Sequence, residues 1–208
     1  MKTVKKVICI ILILIGVGII LYPSISQYLY QKNSSKVIAS YDDSVRKMKE
    51  EKQLLMIEEA RKYNEELYNT GKMPEEYWGV LNVNGTGMMG YIMIPKLDKT
   101  IPIYHGTAEY TLQSGIGHLE DSSLPVGGEN THAVLTGHTG LSKADLFSDI
   151  EKLENDDIFL IKVLDNTYAY KVNQILTVLP EQVDEIKIVE GKDYVTLITC
   201  TPYGINYL

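Results

Sequence analysis

Cysteine is scarce in this sequence, and its two thiols, Cys9 and Cys200, lie at opposite ends of the chain. Cys9 sits inside an uncharged apolar run that reads as membrane-embedded, so a Cys9–Cys200 disulfide is hard to build and Cys200 is left as a free thiol. An unpaired thiol is worth noting in an exported chain, because oxidising compartments usually pair thiols or exclude them. Positive charge is also in deficit. Twenty Lys and Arg against 27 Asp and Glu give a net charge of -7, which argues against sequence-independent binding to phosphate backbones and so against a nucleic-acid partner. Internal repeats and low-complexity tracts are missing, and 208 residues suit one globular domain with appendages.

What the chain does have begins at its amino terminus. "MKTVKK" carries three lysines and is followed from Val7 to Tyr22 by sixteen residues without a charge. At about 1.5 Å per residue the run reaches about 24 Å, short of the roughly 30 Å hydrocarbon core of a bilayer. Continuing through "PSISQYLY" closes the gap and puts Tyr22, Tyr28 and Tyr30 where interfacial aromatics belong. Lysines ahead of the run predict a cytoplasmic N-terminus with everything after the span outside the cell. The rival reading is a cleaved signal peptide, with Ser24 and Ser26 as a small-x-small site.

After the apolar run, residues 33–71 read as helix. Asn33 to Ser35 offer caps, Gly71 offers a stop, and Tyr41, Val45, Met48, Leu55, Tyr63 and Leu67 recur at roughly helical spacing. This is an amphipathic stalk or a flank packed on the domain, with a coiled coil as the competing reading. From Trp78 onward the texture changes to short β-rich runs between turn residues. "GYIMIP", "TIPIYHG", "THAVLTGH", "DIFLIKVL", "TYAYKVNQILTVL" and "DYVTLITC" are strand candidates, and Lys143 to Leu153 reads as a short helix with Leu146, Ile150 and Leu153 on one face. Many strands with few helices predict a mainly β domain, a closed barrel or sandwich.

A nucleophilic thiol needs a base or a cation nearby to favour the thiolate. Of the four histidines, His138 is the best placed, since it closes the strand "THAVLTGH" as Cys200 closes "DYVTLITC". If the two strand ends lie together, imidazole and thiol face each other across a groove. The bland alternatives stand beside this one: a buried, apolar cysteine and a satisfied loop histidine. A metal site of His132, His138 and Cys200 is a third reading, although the spacing matches none of the familiar zinc patterns. His105 and His118 read as surface or loop residues.

Four segments together carry a resemblance: "VNGTGMMGYIMIPKL", "IPIYHGT…GIGHLEDSSLPVGGENTHAVLTGH", "AVLTGHTGL" around His138 and "TLITCTPYGIN" around Cys200. Over Trp78 to Asn206 the chain resembles the class C, pilin-polymerising sortases of Gram-positive bacteria. The resemblance implies a sortase-type β-barrel over residues 78–208, preceded by a cytoplasmic tail (1–6), a transmembrane anchor (7–29) and a helical flank and lid region (33–77). It implies a cysteine transpeptidase of the cell membrane, with Cys200 attacking the carbonyl after threonine in an LPxTG-like sorting signal. His138 would then protonate the departing glycine amine and deprotonate the incoming one, a pilin lysine. Neither metal nor organic cofactor is implied. Two relatives of this reading remain: a cell-wall-anchoring sortase that uses a peptidoglycan amine, and a peptide-binding module without turnover.

The sequence departs from the family pattern in two places. The family carries an arginine shortly after the cysteine, whereas here only Arg46 and Arg61 exist, both in the helical flank. The expectation is therefore a C-terminally truncated or incomplete sortase, with its last barrel strand missing and an unpaired edge beside the thiol. The family's Asp-Pro-aromatic lid is also replaced, by Met-Pro-Glu in "YNTGKMPEEYWGVLN". Either Met73, Tyr77 or Trp78 takes over as a plug, or these residues pack the helix onto the barrel.

Overall fold

The apolar run belongs to a helix far longer than itself. In the computed structural model, which describes residues 2–140, 144–179 and 183–201, helix α1 spans Lys2–Lys47 without a break and contains Pro23. Its N-terminal part is long and apolar enough to cross a membrane. The expected caps at Asn33 to Ser35 are not used. Ser35 Oγ instead donates back to the carbonyl of Gln31 at 2.8 Å, so the helix continues through the segment. The real break falls at Met48–Lys49, after which α2 runs over Glu50–Thr70. Glu50 and Glu51 complement its positive end, and Gly71, at φ 65°, closes the other end by donating its N–H to Leu67 O.

That break resets the helical phase. Leu55, expected on the inner face, is 54% exposed and Ile57 and Ala60 are buried in its place, while Tyr63 and Leu67 are buried as expected. α1 and α2 pack on the β-domain and not as a coiled coil. Tyr41 OH donates to Met89 O (3.0 Å) and accepts from Leu164 N (2.8 Å). Asn64 exchanges two bonds with the backbone of Leu124.

Seven strands follow: β1 (Met88–Ile94), β2 (Lys99–His105), β3 (Ile116–His118), β4 (Thr131–Thr136), β5 (Ile158–Val163), β6 (Asn166–Lys171) and β7 (Asp193–Ile198). Their order is β6-β5-β1-β2-β3-β4-β7, in a nearly closed barrel with one seam between β6 and β7. Tyr170 OH on β6 donates to Asp193 Oδ1 on β7 across that seam, at 3.0 Å. β2–β3 and β4–β7 pair in parallel and the other neighbours are antiparallel. These directions define two rims. The ends of β1, β4 and β7 and the starts of β2 and β5 share the upper rim, the start of β1, the end of β2, the β5–β6 turn and the starts of β4 and β7 share the lower, and the short β3 joins the last residues of β2 to the last residues of β4.

β1 is buried along almost its whole length because its inner face meets the barrel core and its outer face meets α1, at Tyr41. β5 alternates, as a strand covered on one face does. β3 escaped the sequence reading because three residues, one a glycine, cannot show alternation. The expected helix from Lys143 reduces to a single 3-10 turn, Ile150–Lys152, with Lys143 itself outside the described residues. The reason is a competitor. Lys99 Nζ takes the carbonyls of Asp145 (2.8 Å) and Leu146 (3.1 Å), which a helix would need for its own ladder. The long run "TYAYKVNQILTVL" is strand only as far as Lys171, and Ile175, Leu176 and Val178 beyond it are exposed.

Candidate active site

The last rung between β4 and β7 pairs Thr136 with Ile198. Beyond it the two chains stay joined: Gly137 N donates to Ile198 O (3.1 Å), and Thr199 Oγ1 donates to Gly137 O (2.8 Å). His138 and Cys200 are each two residues past that rung. Because the strands are parallel, equal steps keep the two residues abreast on neighbouring chains, which in sheets lie about 4.8 Å apart. The upper rim thus brings His138 and Cys200 together, and Cys200 is exposed there.

His138 is held from two sides. Its carbonyl accepts from Phe147 N (3.2 Å), and the Phe147 ring packs where a Cβ on Gly137 would stand, 2.9 Å away. Only glycine lets the chain pass the ring and deliver the next residue to the rim. Lys99, 10% exposed, fixes the segment that carries Phe147 through the two carbonyls above and through Asp145 (3.1 Å) and Asp149 (3.6 Å).

On its other side stands Glu109, at the start of the short helix α3 (Glu109–Leu112). Its Oε2 is 3.5 Å from His138 Nε2. That nitrogen is buried without a hydrogen bond, so the contact is an ion-pair approach out of line for a true bond. A hydrogen bond from Gln113 and, after it, the charge of His138 hold the Glu109 carboxyl below the usual carboxylate range. Sequence reasoning missed Glu109, Gln113 and Lys99. A polar residue on a four-residue helix and one lysine among many carry no pattern that singles them out.

The other histidines are elsewhere. His132 lies six residues before His138 on β4, its Nδ1 2.8 Å from Lys187 O and its Nε2 2.7 Å from Thr196 Oγ1. At about 3.3 Å per residue this puts it roughly 20 Å from the rim, so a His132–His138–Cys200 metal set is not assembled. Among the described residues no group of three or more His, Cys, Asp or Glu is placed to hold a metal ion. His105 and His118 are buried on β2 and β3, not on the surface as expected. Both ring nitrogens of His105 lie 2.8 Å from backbone carbonyls, Nδ1 from Gly87 O and Nε2 from Val80 O, and those of His118 meet Ser123 O and Tyr77 OH. Burial pushes His118 down to about 4.

Tyr77 and Trp78 pack against the ends of β2 and β3. Tyr77 is fully buried, its hydroxyl accepting from Gly106 N and lying 3.1 Å from His118 O. Trp78 lies over Gly106, where a Cβ would stand 2.8 Å from its ring. Met73 packs against the core. The contacts of these three residues join the flank to the barrel, and Cys200 is exposed. Arg61 is also remote from it, beside Tyr168 on β6, and Arg46 approaches Asp43 at 3.7 Å on α1.

Comparison with known proteins meets this geometry. Residues 92–207, more than half of the chain, match the family model described as the sortase domain. The chain belongs to the sortase family. Among solved structures, sortase C1 from Streptococcus agalactiae is 45% identical, with a TM-score of 0.79 over 82% of this chain and 92% of that one. Clostridium perfringens sortase C with the C-terminal cell wall sorting motif is 45% identical, with a TM-score of 0.75 over 83% of this chain and 92% of that one. Curated relatives include the Streptococcus agalactiae sortase A, 32% identical over 55% of this chain and 47% of its own length. The chain spans about half the length of the first curated relatives it matches. The Staphylococcus aureus sortase A is matched over more of its length, 26% identical over 94% of this chain and 85% of that protein.

Proposed function

We propose that this sortase is a class C cysteine transpeptidase that joins a sorting signal to a pilin lysine. The observation that carries the reading is the Thr136–Ile198 rung, beyond which His138 and Cys200 stand abreast at one rim. The Cys200 thiolate attacks the carbonyl carbon after threonine in an LPxTG-like peptide, forming a C–S bond and a tetrahedral oxyanion. Collapse breaks the C–N bond to glycine, and His138 delivers the proton that the departing amine needs. The thioester then meets the lysine amine. His138 accepts the proton from that nitrogen as the new C–N bond forms and the sulfur leaves as thiolate. Splitting one amide exchange into two steps lowers each barrier.

Class C is favoured over the wall-anchoring reading by the likeness to sortase C structures, 39–45% identical with TM-scores of 0.72–0.79. The Clostridium perfringens neighbour supports a sorting motif as the peptide, and a Streptococcus pneumoniae sortase C described in terms of pilin substrate specificity supports a pilin as the partner. The lysines before Val7 and the apolar part of α1 favour an anchor with the barrel outside the cell.

A second reading is a binding module that holds the peptide without turnover. Mass spectrometry of the full chain mixed with an LPxTG peptide and a lysine-bearing pilin fragment separates the two. The transpeptidase gives a thioacyl adduct on Cys200 and then the ligated product, both lost in Cys200→Ala. Peptide binding with no adduct on the wild-type chain would leave the module.

A further inference from the structure

The helix that carries the apolar run also orients the barrel. All large apolar side chains of α1 from Val4 to Ile25 are exposed. Among the described residues, its first hydrogen bond to the barrel is at Gln27, whose Oε1 accepts from Asp145 N at 2.7 Å, and three residues later Tyr30 OH donates to Ser114 O at 3.3 Å. Both partners are at the upper rim, Asp145 in the segment after β4 and Ser114 just before β3. Farther along, Tyr41 bonds Met89 and Leu164, at the lower rim. α1 therefore passes the upper rim first.

Helical rise sets the scale. At 1.5 Å per residue, Gln27 lies about 7.5 Å beyond Tyr22, Tyr30 about 12 Å, and Tyr41 about 28 Å. A bilayer is roughly 30 Å thick in its hydrocarbon and 40–45 Å with its headgroups, which leaves about 5–8 Å of headgroup on each side. With Val7 at one face of a roughly 30 Å hydrocarbon core, the other face falls about 20 residues on, near Ser26, so Gln27 and Tyr30 lie in the headgroup layer, the upper rim is level with that layer and the lower rim stands clear of it.

We propose that the upper rim rests on the lipid headgroups, so that Cys200 and His138 face the membrane and take an extended peptide from a protein attached to the same bilayer. This rests on the anchored reading of α1. The chemistry of the rim fits a headgroup layer. Tyr110, next to Glu109 on α3, is 71% exposed, and an aromatic ring with a polar tip suits that depth. Several of the rim's carboxylates have lysine partners. Asp145 and Asp149 are held by Lys99, Asp149 also by Lys152, and Glu154 and Asp157 by Lys96.

The test uses the full chain in bilayer nanodiscs, with Cys9→Ser and Cys200→Ser removing the native thiols. Spin labels are placed at Tyr110→Cys and, on the lower rim, at Asn166→Cys. Collisional relaxation by oxygen and by a water-soluble nickel chelate reads their depths. The label at 110 is expected within about 10 Å of the phosphates, and that at 166 farther out by roughly 20 Å, the rise of α1 between Gln27 and Tyr41. Equal depths, the reverse order, or an N-terminus that begins after Ser26 in membrane-expressed protein would overturn the proposal.

A functional arm keeps the native cysteines. Seven helix-forming residues inserted between Tyr22 and Pro23 lift the barrel by about 10 Å. The ratio of turnover on a lipid-linked sorting peptide to turnover on the free peptide is expected to fall several-fold, with the free peptide unaffected. An unchanged ratio would overturn the membrane-attached substrate. If the wild-type chain turns over neither peptide, the transpeptidase reading fails and the label depths alone decide the orientation.

Discussion

Glu109 Oε2 approaches His138 Nε2 to 3.5 Å, close enough for its charge to act and too poorly aligned for a hydrogen bond. The amide of Gln113, which donates to the carboxylate at 2.8 Å, and after it the charge of His138 favour the ionised form of Glu109 and hold its carboxyl below the usual carboxylate range. Gln113→Ala should therefore move the titration midpoint of Glu109 to higher pH, followed by NMR of the labelled carboxyl in a Cys200→Ala background. His138→Gln, which removes the ring's charge, should move it less and in the same direction. An unmoved midpoint in Gln113→Ala would mean that solvent screens the contact.

Lys99 acts on the same histidine from farther away. Its ammonium holds the carbonyls of Asp145 and Leu146, which aim Phe147 at Gly137 and place its N–H on His138 O. Hydrogen bonds to charged groups contribute about 1.5–3 kcal/mol each. Lys99→Met keeps the apolar stem and removes the charge, so thermal stability should fall by a few kcal/mol in total. Turnover of a sorting peptide should fall with it at a temperature where the variant is still folded, and Lys99→Arg should restore part of both. Loss of stability with normal turnover would confine Lys99 to a structural part.

The barrel was legible in the sequence because its longer strands are rich in β-branched residues and end in turns. The sequence reading placed His138 and Cys200 each at the close of a strand, and β4 and β7 do end side by side. What escaped depends on contacts between distant segments. Lys99 unwinds the expected helix after Lys143 by taking its carbonyls, and Ser35 back-bonds into α1 where a cap was expected. His105 and His118 are polar residues that a local reading places at the surface. Only the surrounding carbonyls and Tyr77 make their burial affordable. Glu109 could not be found without knowing that α3 comes back beside the end of β4.

His118 makes the fold sensitive to acid. Burial holds its folded-state value near 4, below the 6.5 of an exposed imidazole. Between those values the unfolded chain binds a proton that the folded chain refuses, so stability is full above about pH 6.5 and declines as pH falls toward 4. The loss is on the order of 3 kcal/mol once both limits are passed. Urea midpoints of wild type and His118→Gln between pH 7.5 and 4.5 should converge on acidification, because glutamine keeps much of the hydrogen bonding without the titration. Parallel curves would place the acid sensitivity in another group.

The flank helix α2 is attached through Asn64, whose amide donates to Leu124 O at 3.0 Å and accepts from Leu124 N at 2.7 Å. Asn64 is buried, so Asn64→Ala strands a backbone N–H and a backbone C=O away from water at a cost of about 1–3 kcal/mol each. Asn64→Asp keeps the acceptor, loses the donor and buries a charge, so it should be no better tolerated. Chemical denaturation of both variants should show midpoints well below wild type. Hydrogen exchange should show the lost protection concentrated in Glu50–Thr70 and around Leu124, with β1 and β5 opening only with the whole barrel. A uniform loss across all seven strands would mean that the flank and the barrel unfold as one cooperative unit, and that Asn64 is a core residue of that unit and not the clasp of a separable helix.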